Sequence, residues 1–116
     1  MRMILAPLVA IFTLAGCGGG GTENVKMFKY RGSVQCSGGG MTLEAMTRQL
    51  TDANIQVLSA SCGSDGKSDA FAALCGAPDD QIGIFEIPAA QVQAASAISF
   101  APLSNLPKAF VRACPA

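Results

Sequence analysis

The chain has 116 residues, balances eight Lys/Arg against eight Asp/Glu, and contains no histidine. Half of its residues are hydrophobic and only 6% are aromatic, which suits one small domain with a modest core. Without a basic excess there is nothing to neutralise a polyphosphate backbone, so nucleic acid is not an expected partner. Without histidine, the usual Ser-His and Cys-His nucleophile systems are excluded.

The chain opens with a short cationic start, Met1-Arg2, followed by an apolar run from Met3 to Leu14 and small residues before Cys17. That order is the grammar of an export signal. A bilayer-crossing helix needs about 20 apolar residues, whereas fourteen residues, Pro7 among them, separate Arg2 from Cys17. Four glycines, Gly18 to Gly21, then break any helix. The stretch Leu14-Ala15-Gly16-Cys17 resembles the lipobox of bacterial lipoproteins. The resemblance implies that residues 1–16 are a signal peptide removed by cleavage before Cys17. It also implies lipid on the Cys17 sulfur and new amino group, so that the bilayer itself is a partner. Ordinary secretory cleavage is the alternative. Gly18 stands where an Asp would retain such a protein at the inner membrane, so the resemblance implies the periplasmic face of the outer membrane. Stable anchoring takes more than one acyl chain, which a di- or triacylated cysteine supplies.

Residues 18–24 have little to bury and read, with Cys17, as a lipidated tether with a reach of about 15 Å. The domain expected over 25–116 would ride close to the membrane. Lys26, Lys29 and Arg31 lie just past the tether, where each could gain about 1 kcal/mol near anionic lipid. A solvated strand face is the preferred reading of the three. The acylation candidate aside, Cys36, Cys62, Cys75 and Cys114 form an even set, expected as two disulfides in an oxidising compartment. Their spacings of 26, 13 and 39 residues lack the close pairs of a zinc site. Of three possible connectivities, Cys62–Cys75 with Cys36–Cys114 is preferred, because the first would staple a long irregular loop.

In chain order, Val25 to Cys36 reads as a strand interrupted near Gly32, with Ser33 to Cys36 its best part. Gly38-Gly39-Gly40 leads to a helix capped by Thr42, with Glu44 in the first turn and an apolar stripe of Leu43, Met46, Leu50 and Ala53. Asn54 sits where a left-handed cap is wanted. A second strand is expected over Ile55 to Ser61, then turn material from Gly63 to Lys67. A short helix is expected to open at Ser68 and carry Phe71, Leu74 and Cys75, stopped by Gly76 and Pro78. Gln81 to Ile87 is apolar on both faces, the mark of a central strand. Pro88 opens a helix to about Ser99, facing inward through Val92, Ala95 and Ile98. Phe100 to Leu103 reads as a short strand, and Pro107 to Cys114 as a helical turn or two placing Phe110, Val111 and Cys114 on one side.

The order strand, helix, strand, strand, helix, strand predicts an α+β fold, a ferredoxin-like split β-α-β sandwich (β-α-β-β-α-β) stapled by disulfides. In it the first two strands run parallel, bringing Cys36, Cys62, the 63–80 loop and the second glycine run to one end of the sheet.

Candidates for chemistry are few. Ser37-Gly38-Gly39-Gly40 could present amides to an anion, but it fits neither the dinucleotide nor the P-loop pattern, and a sharp turn is the simpler reason for its glycines. Asp65, Asp69, Asp79 and Asp80 do not repeat an EF-hand spacing and read as solvated turn acids. Lys26, Lys29, Lys67 and Lys108 all sit in exposed-looking segments, which leaves no desolvated lysine for a serine. Glu86, the one acid within an apolar strand, could be a general acid of raised pKa, yet reads more simply as an edge or capping carboxylate. No catalytic residue, metal ligand or cofactor is expected.

Two functions fit these residues: a lipid-anchored structural or interaction module binding another envelope protein, and a glycan-binding module. In element order, and in the Val34-Gln35 stretch near small residues, the domain resembles the SPOR peptidoglycan-binding domains. That resemblance implies peptidoglycan as a partner but transfers no binding residue. The cysteine-bounded loop and the shortage of aromatic strands depart from it.

Overall fold

The computed structural model describes residues 23–67 and 74–115. The Cys17 site, most of its tether, and the helix expected at Ser68 with Asp69 and Phe71 lie outside the described residues. The fold is α+β: a five-stranded antiparallel sheet, two helices and two disulfides.

Strand β1 (Asn24–Tyr30) and strand β3 (Gln81–Pro88) pair along their lengths, with Met27 opposite Phe85 and Phe28 opposite Ile84. Strand β2 (Ser59–Ser64) flanks β3 on its other side, so β3 is central, as its two apolar faces predict. Two short strands complete the sheet: β4 (Ala101–Pro102) beside β1, and β5 (Phe110–Val111) beside β2. The strand order is β4-β1-β3-β2-β5.

Strand alternation gives the sheet two apolar faces. Met27, Phe85 and Ile87 form one core with Met46 and Leu50 of helix α1 (Leu43–Asp52), Ala95 of helix α2 (Val92–Ala97), Ile55 and Phe100. Phe28, Ile82 and Ile84 point the other way and meet Leu106, with Leu103 and Ala109 packed beside them. The segment joining β4 to β5 therefore straps the second face. It leaves the sheet at one edge and rejoins it at the other.

Helix α1 forms where its capping residues place it. The Thr42 hydroxyl accepts the Ala45 N–H at 3.0 Å, and Glu44 occupies the first turn. At the far end Asn54 takes a positive φ of 63°, the Ile55 N–H returns to the Leu50 carbonyl, and the Asn54 N–H returns to that of Thr51. These are the two bonds of a Schellman cap. Ile55 is consequently buried against Leu50, which removes it from the strand expected at 55–61; β2 starts four residues later. Ala53, expected on the apolar stripe, is the exposed C-cap residue. A 3-10 turn (Ala89–Gln91) precedes α2, whose Val92, Ala95 and Ile98 face the core as expected.

Two expected elements differ. The strand over 25–36 ends at Tyr30, because Gly32 and Cys36 take positive φ and residues 34–38 close a tight turn with reciprocal Val34–Gly38 bonds. Of the helical turn or two expected over 107–114, only a turn at Pro107 and Lys108 forms; extended chain containing β5 follows, and Phe110 and Val111 are exposed rather than packed on one side.

The cysteine set forms two disulfides, but with a different pairing. Cys36 joins Cys75, and Cys62 joins Cys114. The expected Cys62–Cys75 and Cys36–Cys114 pairs treat the 63–80 loop as a unit closed on itself. Register decides otherwise. Beyond Tyr30 the 31–36 segment continues beside the residues leading into β3: the Gln35 N–H reaches the Ala77 carbonyl, and the Gly76 N–H reaches the Gln35 carbonyl. Cys36 thus faces Cys75. On the other edge, β5 pairs with Gly63 and Ser64, and the Arg112 N–H reaches the Cys62 carbonyl, bringing Cys114 to Cys62.

Candidate functional site

The end of the sheet where β1 and β2 finish and β3 begins gathers the second glycine run, the segment leading into β3 and the turn after β2. The Cys36–Cys75 bridge ties two of these segments together. The end of β1 with the residues just after it, the turn after β2 and the approach to β3 frame a cavity of about 300 Å³ lined by Tyr30, Gly32, Ser33, Asp65, Lys67, Pro78 and Asp79.

Tyr30 is the last residue of β1 and stands on the strapped face, opposite Ile82. Phe28, two residues earlier on the same face, packs edge-on against its ring at 5.6 Å between centroids. The phenol donates to Asp65 Oδ2 at 2.8 Å. Burial, then the bond to Asp65 and the charges of Asp65 and Asp80, push the Tyr30 pKa up to about 12. The hydroxyl therefore remains a donor at every physiological pH.

Asp65 follows β2 directly and is only 1% exposed. Its Oδ1 accepts the Lys67 N–H at 2.8 Å, an Asx turn that a Gly at position 66, with φ of 77°, makes possible. Its own N–H donates to the Asp80 carbonyl. Among the described residues the one ion pair lies nearby, between Arg112 and Asp80 at 3.1 Å. Burial alone would raise the Asp80 carboxyl, but hydrogen bonds from Arg112 and Ser64, with the Arg112 charge, outweigh it and lower its pKa. Ser33, buried beside the cavity, donates to Asp79 Oδ1 at 2.7 Å, and Asp79 also accepts from the Gln81 N–H.

The turn acids are thus not all solvated. Asp65 is buried, Asp80 is ion-paired, and Asp79 organises the start of β3. Among the described residues no three acidic or cysteine side chains converge as metal ligands. Gly38, Gly39 and Gly40 all take positive φ, and a Cβ at Gly40 would lie 2.6 Å from the Arg31 carbonyl. Their role is the turn, with Arg31 bonded to the Met41 carbonyl and to the Gln81 side chain. Lys29 is not a free surface charge either. It donates to Gln49 and to the Ile98 carbonyl at the end of α2, over the Phe100 ring. That leaves Lys26 the exposed member of the three basic residues beyond the tether. Glu86 is half-buried, paired across the sheet with Lys26 and Ser59, and accepts the Ser59 hydroxyl.

Sequence reasoning did not single out Tyr30, Ser33 or Asp65 as neighbours. Tyr30 carries one readable signal, its alternation with Phe28 onto a single face. Asp65 looks like any turn aspartate in Gly63-Ser64-Asp65-Gly66.

Among the described residues no helix is long and apolar enough to cross a membrane. Comparison with protein-family models, with curated proteins and with solved structures gives no match to this chain.

Proposed function

We propose that the chain is a lipid-anchored envelope lipoprotein whose domain is a non-catalytic structural or protein-interaction module. The observation that carries this reading is the cysteine arithmetic. Two disulfides consume Cys36, Cys75, Cys62 and Cys114, leaving Cys17 of Leu14-Ala15-Gly16-Cys17 as the odd cysteine. Bridges of this kind belong to oxidising compartments, and a lipobox belongs to the same export route. The short glycine tether then holds the domain near the outer membrane, where a neighbouring envelope protein is the partner.

The domain itself we read as a ferredoxin-like split β-α-β sandwich extended by β5. The order β4-β1-β3-β2, antiparallel at each neighbour, and the sharing of one core by both helices support that reading. Such a sandwich serves many functions, so fold adds nothing to the choice of partner. A second reading, a SPOR-like peptidoglycan-binding module, draws support from the half-exposed Tyr30 ring beside the cavity.

Metabolic labelling with a radioactive fatty acid tests the anchor. The native chain should take up label and Cys17→Ser should not; an unlabelled, normally processed native chain overturns it. Cross-linking in cells against sedimentation with purified peptidoglycan separates the two readings of the domain.

A further inference from the structure

Apart from the exposed Lys67, the groups lining the cavity at the end of the sheet offer acceptors rather than donors. Ser33 and Tyr30 each spend their hydroxyl proton inside the protein, on Asp79 and Asp65. What remains at those oxygens is acceptor capacity. Each Asp65 oxygen accepts one bond, from Tyr30 or from Lys67 N–H, and keeps a further acceptor position. Asp79 adds a second carboxylate to the lining.

Asp65 also lacks a counter-charge. It is almost fully buried, yet no cation of the described residues lies within ion-pair distance; Lys67 gives it only a backbone N–H. Arg112, linked to Asp65 only through Asp80, is engaged with the Asp80 carboxylate. A buried carboxylate held by two neutral donors is costly, and a bound cation would offset that cost. Around it the Tyr30 ring and Pro78 supply apolar wall, and a tyrosine face itself favours a cation. The cavity is of the size that takes a small organic group.

We infer that this cavity is a binding site for a protonated primary amine carried on a compact organic group, received by the Asp65 carboxylate between Tyr30 and Pro78. This goes beyond the anchored-module reading and does not depend on Cys17. The amine could be borne by an amino-acid side chain of a peptide or by an amino sugar, and the two sources are separable.

Tyr30 is the chain's one tyrosine, and there is no tryptophan, so its ultraviolet emission reports on the site without labelling. The full chain is titrated with Nα-acetyl-lysinamide and with glucosamine, each against its N-acetylated neutral counterpart. The amine-bearing member of at least one pair should saturate the Tyr30 signal in the millimolar range expected of a fragment, with at least tenfold weaker binding by its neutral counterpart. The responding pair names the source. Asp65→Asn should abolish the preference for the amine. Should that variant fail to fold, amide shifts of the native chain decide, and must change at Gly32, Ser33, Lys67 and Asp79. Equal response to amine and neutral compounds, no response to either amine, or shifts centred elsewhere would overturn the site.

Discussion

The strap over the second sheet face is held covalently at one point, the Cys62–Cys114 bridge, and this makes the bridge the sharpest test of the fold. Strand β5 contributes only two paired residues, and its exposed Phe110 and Val111 bury little. Replacing both cysteines, Cys62→Ser with Cys114→Ser, removes a cross-link spanning 52 residues. Loop-closure entropy for a span of that length is worth about 4 kcal/mol at room temperature. For a domain of this size that corresponds to a fall in melting temperature of roughly 15–30 °C, a large share of the roughly 5–15 kcal/mol such a domain possesses. The Cys36–Cys75 bridge spans 39 residues, and the same relation gives about 4 kcal/mol for it too. Chain entropy therefore hardly distinguishes the two. Structure does: the Cys62 variant should also lose hydrogen-exchange protection at Leu106, Ala109 and Arg112, whose amides bond to Leu103, Leu106 and Cys62, whereas the Cys36 pair of substitutions should leave those amides protected. Thermal melts followed by circular dichroism, with exchange read by mass spectrometry, measure both effects. A loss below about 1 kcal/mol, or 4–8 °C, with the strap still protected would refute the view that the bridge holds the strap in place.

Tyr30 should titrate near 12 by its phenolate absorbance rather than near 10, and Asp65→Asn should bring the midpoint down toward 10. Because its folded pKa is raised, the contribution of Tyr30 to stability is complete below pH 10 and is lost as pH rises from 10 through 12. Alkaline melts on native chain and Tyr30→Phe, which should converge above that window, check the sign. Gly66→Ala should cost about 2 kcal/mol or more, since φ is 77° and a Cβ would lie 2.1 Å from the Lys108 carbonyl of the strap. A Gly66→Ala chain as stable as the native one in denaturant titration would mean that the strap does not cross there.

The parts of this fold legible in the sequence are those set by local chemistry. Thr42 and Asn54 bracket a helix because capping uses side chains within a few residues, and the central strand is readable because both faces of Gln81–Ile87 are apolar. What is not legible depends on distant register. Nothing near Cys36 says that it will lie opposite Cys75; that follows from 31–36 continuing alongside the approach to β3. Nor does the composition of Pro107–Cys114 separate a helical turn from a strand, because the deciding partners, Gly63 and Ser64, lie more than forty residues away. The cavity is hidden for the same reason: Tyr30, Ser33, Asp65 and Asp79 converge from three segments, and each alone reads as a turn or core residue.

The same connections tie the strap to the cavity. Arg112 of the strap holds the Asp80 carboxylate, which also accepts the Ser64 hydroxyl; the Asp80 carbonyl in turn receives the Asp65 N–H. Asp65 is the residue immediately after β2, whose last pair is Ser64 with Phe110 of the strap. Releasing the Cys62–Cys114 bridge should therefore loosen Asp65 and, through it, the Tyr30 hydroxyl, although neither touches a sulfur. The single tyrosine reads this out directly. Below the melting temperature of the Cys62→Ser, Cys114→Ser variant, the Tyr30 midpoint should fall from about 12 toward the ordinary value of 10. Arg112→Gln cuts the same link without touching a cysteine, but it also unmasks the Asp80 charge, which pushes the phenol up, so any fall in that variant should be smaller. If the midpoint stays near 12 in both variants, the carboxylate is positioned by β2 and the Gly66 turn alone, and the strap is a cover for the second face with no hold on the cavity.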